Sequence, residues 1–181
     1  METSPVQSKF IIMKYKLTEE TINVYGRTLH RIECVEPFKD IEAGDKGGFV
    51  ESENNLSQDG GAWVYGDAMV YGGAWVYGDA WVCDDARVYD HAVVYGHAEV
   101  YGHALVYGHA RVSGINDYIV FKNSWSSGRH FTWTRSNDKW KVGCFYGTGA
   151  ELIKKAYKDS ENSGRHYEAY VNFVEQLKAM E

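Results

Sequence analysis

Asp59-Gly-Gly-Ala-Trp-Val64, Tyr65-Gly-Asp-Ala-Met-Val70, Tyr71-Gly-Gly-Ala-Trp-Val76 and Tyr77-Gly-Asp-Ala-Trp-Val82 open a run of six-residue units. Cys83-Asp-Asp-Ala-Arg-Val88, Tyr89-Asp-His-Ala-Val-Val94, Tyr95-Gly-His-Ala-Glu-Val100, Tyr101-Gly-His-Ala-Leu-Val106 and Tyr107-Gly-His-Ala-Arg-Val112 complete it. The nine hexads follow one another without a break, each with Ala fourth and Val sixth. A short fixed period marks a solenoid, because one unit cannot bury its apolar face alone and must stack on its neighbours.

Alternation supplies the geometry. Residues two apart in a strand share a face, so Ala and Val point inward and the variable fifth residue points out. The Gly-Asp or Gly-His pair turns the corner, since Gly tolerates positive φ and Asp bonds nearby backbone. Three short strands and three corners close one triangular coil, so nine hexads predict about three coils of a parallel β-helix rising ~4.8 Å per coil. Alternation does not set its hand. These residues resemble the hexapeptide-repeat, left-handed β-helix superfamily, and the resemblance implies the left-handed form.

Stacking by whole coils predicts the ladders. Trp63, Trp81 and Glu99 share one outer face, Met69, Arg87 and Leu105 a second, and Trp75, Val93 and Arg111 the third. Asp67 and Asp85 fall in line with His103, Asp79 with His97, and His91 with His109, and Tyr71, Tyr89 and Tyr107 form a column. Such ladders stabilise successive coils. Trp63, Trp75 and Trp81 also stand at outward positions, where exposed aromatics mark a partner surface, so they are expected to dock flanking segments or a second subunit.

Composition bounds the rest. A chain of 181 residues buries roughly 70% of its unfolded surface and needs no covalent staples. No apolar run approaches the ~20 residues of a membrane span. Met1-Glu-Thr-Ser-Pro lacks the layout of a signal peptide, and Cys34, Cys83 and Cys144 are odd in number and scattered. Reduced thiols in a cytoplasm are expected.

Charge is uneven. Residues 8–33 carry five basic against three acidic side chains, residues 51–116 two against nine, and residues 117–150 five against two. An acidic rod lies between two basic ends. The net charge of −6 argues against general nucleic-acid binding, but a basic end can hold RNA locally and an acidic rod suits a basic groove.

Three parts are expected: residues 1–49, a leader and β-hairpin; 50–116, the repeat helix; and 117–181, a β-meander with a helical hairpin. Met1 to Ile12 is polar and turns apolar at Phe10-Ile-Ile12, and Met13-Lys-Tyr-Lys reads equally as a start. Lys14–Leu17, Thr21–Tyr25 and Thr28–Cys34 read as strands, with a tight turn at Gly26-Arg27. Lys14, Lys16, Arg27 and Arg31 cluster there with His30. They are either a lysine-protected sheet edge or a cationic finger for RNA phosphate, with His30 the titrating group. Pro37–Phe49 is a turn-rich lead-in, followed by an imperfect coil over Val50–Leu56.

Past Val112, Tyr118–Lys122, His130–Arg135 and Trp140–Phe145 alternate as three strands, with Phe131, Trp133, Trp140 and Phe145 expected in a core. Thr148-Gly-Ala-Glu151 is a capping box, Asn162-Ser-Gly164 is expected to stop that helix, and a second helix carries Tyr167, Tyr170, Val171, Val174 and Leu177. The expected class is mainly β with a C-terminal α+β cap.

Hexapeptide-repeat acyltransferases use a His base beside a loop that interrupts the coils, with coenzyme A bound between subunits. Here no loop interrupts the hexads, so acyl transfer is a minor alternative. Stacked Asp and His pairs offer two metal ligands rather than four. No cofactor or metal is expected.

A second resemblance covers nearly the whole chain. Lys14-Tyr-Lys-Leu17, Val24-Tyr-Gly-Arg27, the Val-Tyr-Gly-Asp-Ala repeat, Phe131-Thr-Trp-Thr-Arg-Ser-Asn137 and Val142-Gly-Cys-Phe-Tyr-Gly-Thr-Gly149 look like small proteins of phages and prophages of Gram-positive bacteria. Some phage proteins of this size are anti-CRISPR inhibitors of Cas9, and one kind is associated with shortening of the guide RNA. The resemblance therefore implies Cas9 and its guide RNA as partners, in the cytoplasm of a bacterial host cell. Cleavage by 2′-hydroxyl attack needs a base, an acid and a cation. The hairpin supplies His30 and four cations but no evident second acid–base group, unless Tyr25, Glu33 or the partner provides one. The alternative is a non-enzymatic binding solenoid, with homo-oligomers formed through the Trp faces.

Overall fold

The computed structural model describes residues 13–180. The leader and Phe10-Ile-Ile12 lie outside them. Each hexad places its fifth and sixth residues in a two-residue strand. These are β4 (Trp63–Val64), β5 (Met69–Val70), β6 (Trp75–Val76), β7 (Trp81–Val82) and β8 (Arg87–Val88), then β9 (Val93–Val94), β10 (Glu99–Val100), β11 (Leu105–Val106) and β12 (Arg111–Val112), preceded by β1 (Tyr15–Val24), β2 (Arg27–Cys34) and β3 (Lys46–Val50). Parallel pairing joins Trp63 to Trp81 and Glu99, Met69 to Arg87 and Leu105, and Trp75 to Val93 and Arg111, the ladders expected from the period. The Ala and Val of every hexad are buried. Between coils, Trp63 N donates to the Ala80 carbonyl at 3.0 Å and Tyr65 N to the Val82 carbonyl at 2.8 Å, a pattern repeated along the rod.

At the corners the second residue of the hexad adopts left-handed backbone, from φ 57° at Gly66 to 74° at Gly78. Asp84 (φ 59°) and Asp90 (φ 66°) take the same conformation, which short polar side chains tolerate.

The solenoid has about four coils rather than three. Phe49 and Val50 of β3 pair in parallel with Met69 and Val70, and Leu56 bridges Val76. Val50 and Leu56 stand six apart and fill inward sites, so the imperfect coil expected over this segment supplies the extra turn. Gly47 and Gly48 permit the close approach of β3, since a Cβ on either would fall 2.5 Å from a backbone carbonyl oxygen, that of Val64 or of Ala68.

The hairpin continues this face. β2 pairs antiparallel with β3, giving one six-stranded sheet in the order β1-β2-β3-β5-β8-β11. The two expected N-terminal strands are one, β1, with an irregularity between Leu17 and Thr21. The turn is Tyr25-Gly26, not Gly26-Arg27, because Arg27 already pairs with Val24. Both turn residues have positive φ (52° and 83°), the twist a two-residue hairpin loop requires.

Beyond the rod, β13 (Tyr118–Lys122), β14 (His130–Thr134), β15 (Lys139–Val142) and β16 (Phe145–Gly147) form a four-stranded antiparallel sheet. The sequence reading has three strands because the turn at Gly143-Cys144 divides what reads as one strand. Helices α1 (Gly149–Asp159) and α2 (Glu161–Lys178) pack on it. The Thr148 hydroxyl accepts from Glu151 N and the Glu151 carboxylate accepts from Thr148 N, as expected of a capping box. The helix break falls earlier than expected. Ser160 is extended and caps α2, while Gly164 lies inside α2, where a Cβ would collide with the Tyr157 ring. Phe131, Trp133, Trp140, Val142, Leu152, Tyr167, Val171 and Val174 make a second core, against which Phe145 packs.

Both open ends of the solenoid are closed by side chains, which protects its edges from pairing with other chains. At the first coil, Lys14 Nζ donates to the carbonyls of Ala62 (2.9 Å) and Gly60 (3.2 Å), and Asn55 Nδ2 to those of Ala74 (2.9 Å) and Gly72 (3.1 Å). At the last, Leu105 N donates to Thr132 Oγ1 (2.9 Å), Arg111 N to Ser136 Oγ (2.8 Å) and Tyr101 N to the Tyr118 hydroxyl (3.3 Å).

Candidate functional site

The N-terminal cations are engaged within the chain. Lys14 is 5% exposed, and burial drives its ammonium from the usual 10.5 down to about 8, with the nearby Asp59 carboxylate opposing the shift. This corrects the reading of Lys14 as a surface phosphate ligand: the first coil needs a donor for its free carbonyls. Lys16 pairs with Glu33 at 2.7 Å and Arg27 with Glu51 at 2.8 Å. Arg31 is held by Glu20 at 2.6 Å and by the carbonyls of Gly47 (2.8 Å) and Gly66 (3.1 Å), and its guanidinium lies over the Phe49 ring. His30 Nδ1 faces the Thr18 carbonyl at 3.1 Å. The hairpin therefore lies flat as a sheet extension and not as a finger, its alternating faces bringing Glu20, Glu33 and Glu51 beside the cations.

The tryptophans part company. Trp63 is 1% exposed, closed over by Tyr15 and Phe38 edge-on at centroid distances of 6.2 and 5.5 Å, so of the two expected roles it takes the docking of flanking segments. Trp81 is half-buried beneath Lys39 and donates Nε1–H to the Gly61 carbonyl at 3.3 Å. Trp75 remains open at 45%. It stacks on Tyr77 at 4.1 Å, Tyr77 stacks on Tyr95 at 5.4 Å, and the Arg111 guanidinium covers Tyr95 at 5.2 Å. One edge of the rod thus carries a continuous aromatic strip ending in a cation.

The corner ladders form as expected. His91 stacks on His109 at 5.2 Å, His97 lies 3.9 Å from Asp79, and Tyr71 stacks on Tyr89, which meets Tyr107 at a tilt of 48°. The coils run without an interrupting loop from β4 to β12. Among the described residues no group of three or more His, Cys, Asp or Glu converges as metal ligands. The three cysteines are free. No described helix is long and apolar enough to cross a membrane.

A further cluster escaped sequence reasoning. Docking of β14 beside β11 brings His130 of the cap against His103 of the solenoid, ring centroids 4.4 Å apart and tilted by 30°. His103 Nδ1 lies 3.6 Å from Asp85 Oδ2. Arg87, one ladder step from Leu105, and Arg129 border the same open cleft of about 500 Å³. Burial lowers the His130 pKa, and His103 and Lys122 lower it further. Among the described residues neither Arg87 nor Arg129 forms an ion pair, in contrast to the hairpin cations. No local motif signals this cluster, because His103 reads as one more ladder member and His130 as a strand residue.

With the coils and their ladders in view, comparison with known proteins agrees at the level of the repeat. The profile of the YdcK Beta solenoid repeat matches residues 62–78, which span β4 to β6 and their corners. The chain is a β-solenoid repeat protein. The match ends with the repeat unit and does not extend to hairpin or cap. No curated protein matches this β-solenoid.

Proposed function

We propose that this β-solenoid works by binding a macromolecular partner, and that the partner is a Cas9–guide RNA complex of the kind the phage-type resemblance implies. The observation that carries the binding reading is the strip of exposed Trp75, half-buried Tyr77 and Tyr95, and Arg111 at its end. Aromatic side chains with a neighbouring arginine supply most of the energy at the centre of protein interfaces. The rod around the strip carries nine acidic against two basic residues over positions 51–116, complementary to the positively charged channel in which Cas9 holds its heteroduplex. Docking there displaces the guide RNA or leaves it open to truncation. Lys16 and Arg27 contribute only by exchanging their carboxylate partners for RNA phosphate, and exposed pairs of this kind are worth little enough to exchange, whereas Arg31, held by two carbonyls and the Phe49 ring as well, stays in place.

The test is target cleavage by Cas9 with increasing amounts of this protein, with the guide RNA run on a denaturing gel. Loss of cutting, with Trp75→Ala restoring it at unchanged melting temperature, supports the reading. Full cutting at large excess over Cas9 overturns the Cas9 assignment. The alternative of a structural solenoid that self-associates is favoured by one feature, Trp125, which is 76% exposed beside Phe121, Tyr170 and Phe173. A concentration-dependent rise in mass, abolished by Trp125→Ala, identifies that alternative.

A further inference from the structure

We propose that the cleft between solenoid and cap, bordered by Arg87, His103, Arg129 and His130, is a binding site for a phosphate group. The proposal is independent of the Cas9 reading. Guanidinium groups carry five donors in a rigid fork and no acceptor, so two of them without an ion pair in one cleft await an oxyanion. A planar carboxylate is satisfied by one such fork. Donors converging from two bodies, with Arg87 and His103 on the rod and Arg129 and His130 on the cap, suit a tetrahedral group carrying oxygens on every side.

The charges facing the cleft set its behaviour. From the rod come Arg87 and the Asp85–His103 pair at 3.6 Å, and from the cap Arg129, His130 and Lys122, the register partner of His130. Without an anion, His130 resists protonation because of its burial and its cationic neighbours. A bound phosphate reverses that balance, so His130 takes up a proton on binding, and a phosphodiester, which does not itself titrate there, binds more tightly as pH falls through the histidine range. Asp85 opposes the anion, and removing its charge strengthens binding.

The experiment titrates the full chain with inorganic phosphate, a nucleoside monophosphate and a short single-stranded RNA, followed by calorimetry and by NMR of the histidine rings. Expected are saturable binding, tightening toward acid pH for the RNA, a raised His130 pKa in the complex, and roughly tenfold or greater weakening in Arg129→Gln. Arg129 is exposed, so that variant folds, and Asp85→Asn binds more tightly than the parent. Tighter binding of RNA than of either small anion identifies a polymer backbone as the source; equal or tighter binding of the monophosphate identifies a small phosphate ester. Absence of saturable phosphate binding, or binding unchanged in both Arg87→Gln and Arg129→Gln, overturns the proposal.

Discussion

Lys14 Nζ donates to the Ala62 carbonyl at 2.9 Å, closing the first coil with a buried ammonium. A residue that reads as part of a basic surface is therefore a plug. Replacing it with methionine retains its bulk but leaves the Ala62 and Gly60 carbonyls without that donor, a loss on the order of 2–4 kcal/mol. Denaturant midpoints of Lys14→Met and parent measure it.

The same residue predicts a pH dependence. Its folded pKa is about 8 against 10.5 for the free side chain, so above pH 8 the unfolded chain holds the proton that the folded chain releases. Stability from Lys14 rises with pH across that window. Burial raises the thiols of Cys34 and Cys83, which lowers stability over the same window, so urea titrations at about pH 7.5 and about pH 9.5 should show the parent gaining stability relative to Lys14→Met. Below pH 10 the buried tyrosines, whose pKa values are raised, do not interfere.

Trp63 and Trp75 occupy the same hexad position and should behave oppositely. Trp63→Ala empties a closed pocket and costs about 3–5 kcal/mol. Trp75→Ala, at an exposed site, changes stability by only about 0.5 kcal/mol and acts instead on partner binding. Thermal melts with a binding assay separate the two.

Glycines at equivalent corners are not equal. A Cβ on Gly60 would sit 2.6 Å from the Gly78 carbonyl oxygen, whereas one on Gly102 meets nothing within 4 Å. Both have positive φ, so Gly102→Ala costs only the backbone strain, ~1–2 kcal/mol, and Gly60→Ala more than that. Parallel denaturant melts of the two variants give the ranking.

Thr132 is buried and accepts the Leu105 N–H at 2.9 Å where the ladder runs out of coils. Thr132→Val keeps its shape and strands that donor, at about 1–3 kcal/mol. Hydrogen exchange should speed up at Leu105 while amides of the middle coils such as Met69 stay protected.

The capping box at Thr148 and the Ala-Val interior were legible because each rests on residues within one hexad or one helical turn. The pairing of Lys16 with Glu33 and of Arg27 with Glu51 was not, since it depends on which strand lies beside which. The hairpin turn was misplaced by one residue for the same reason. The cleft was illegible throughout, as His103 and His130 meet only after a separate sheet docks on the last coil.

By itself, the sequence determined the solenoid, its eighteen-residue register and its side-chain ladders, because a strict period leaves each residue only one kind of neighbour. Only the tertiary structure decided that Lys14 is a plug, that Trp63 is covered while Trp75 is open, and that two arginines and two histidines share a cleft. Those outcomes depend on how the non-repeating ends fold back over the coils, and long-range packing of that kind leaves no periodic trace in the chain.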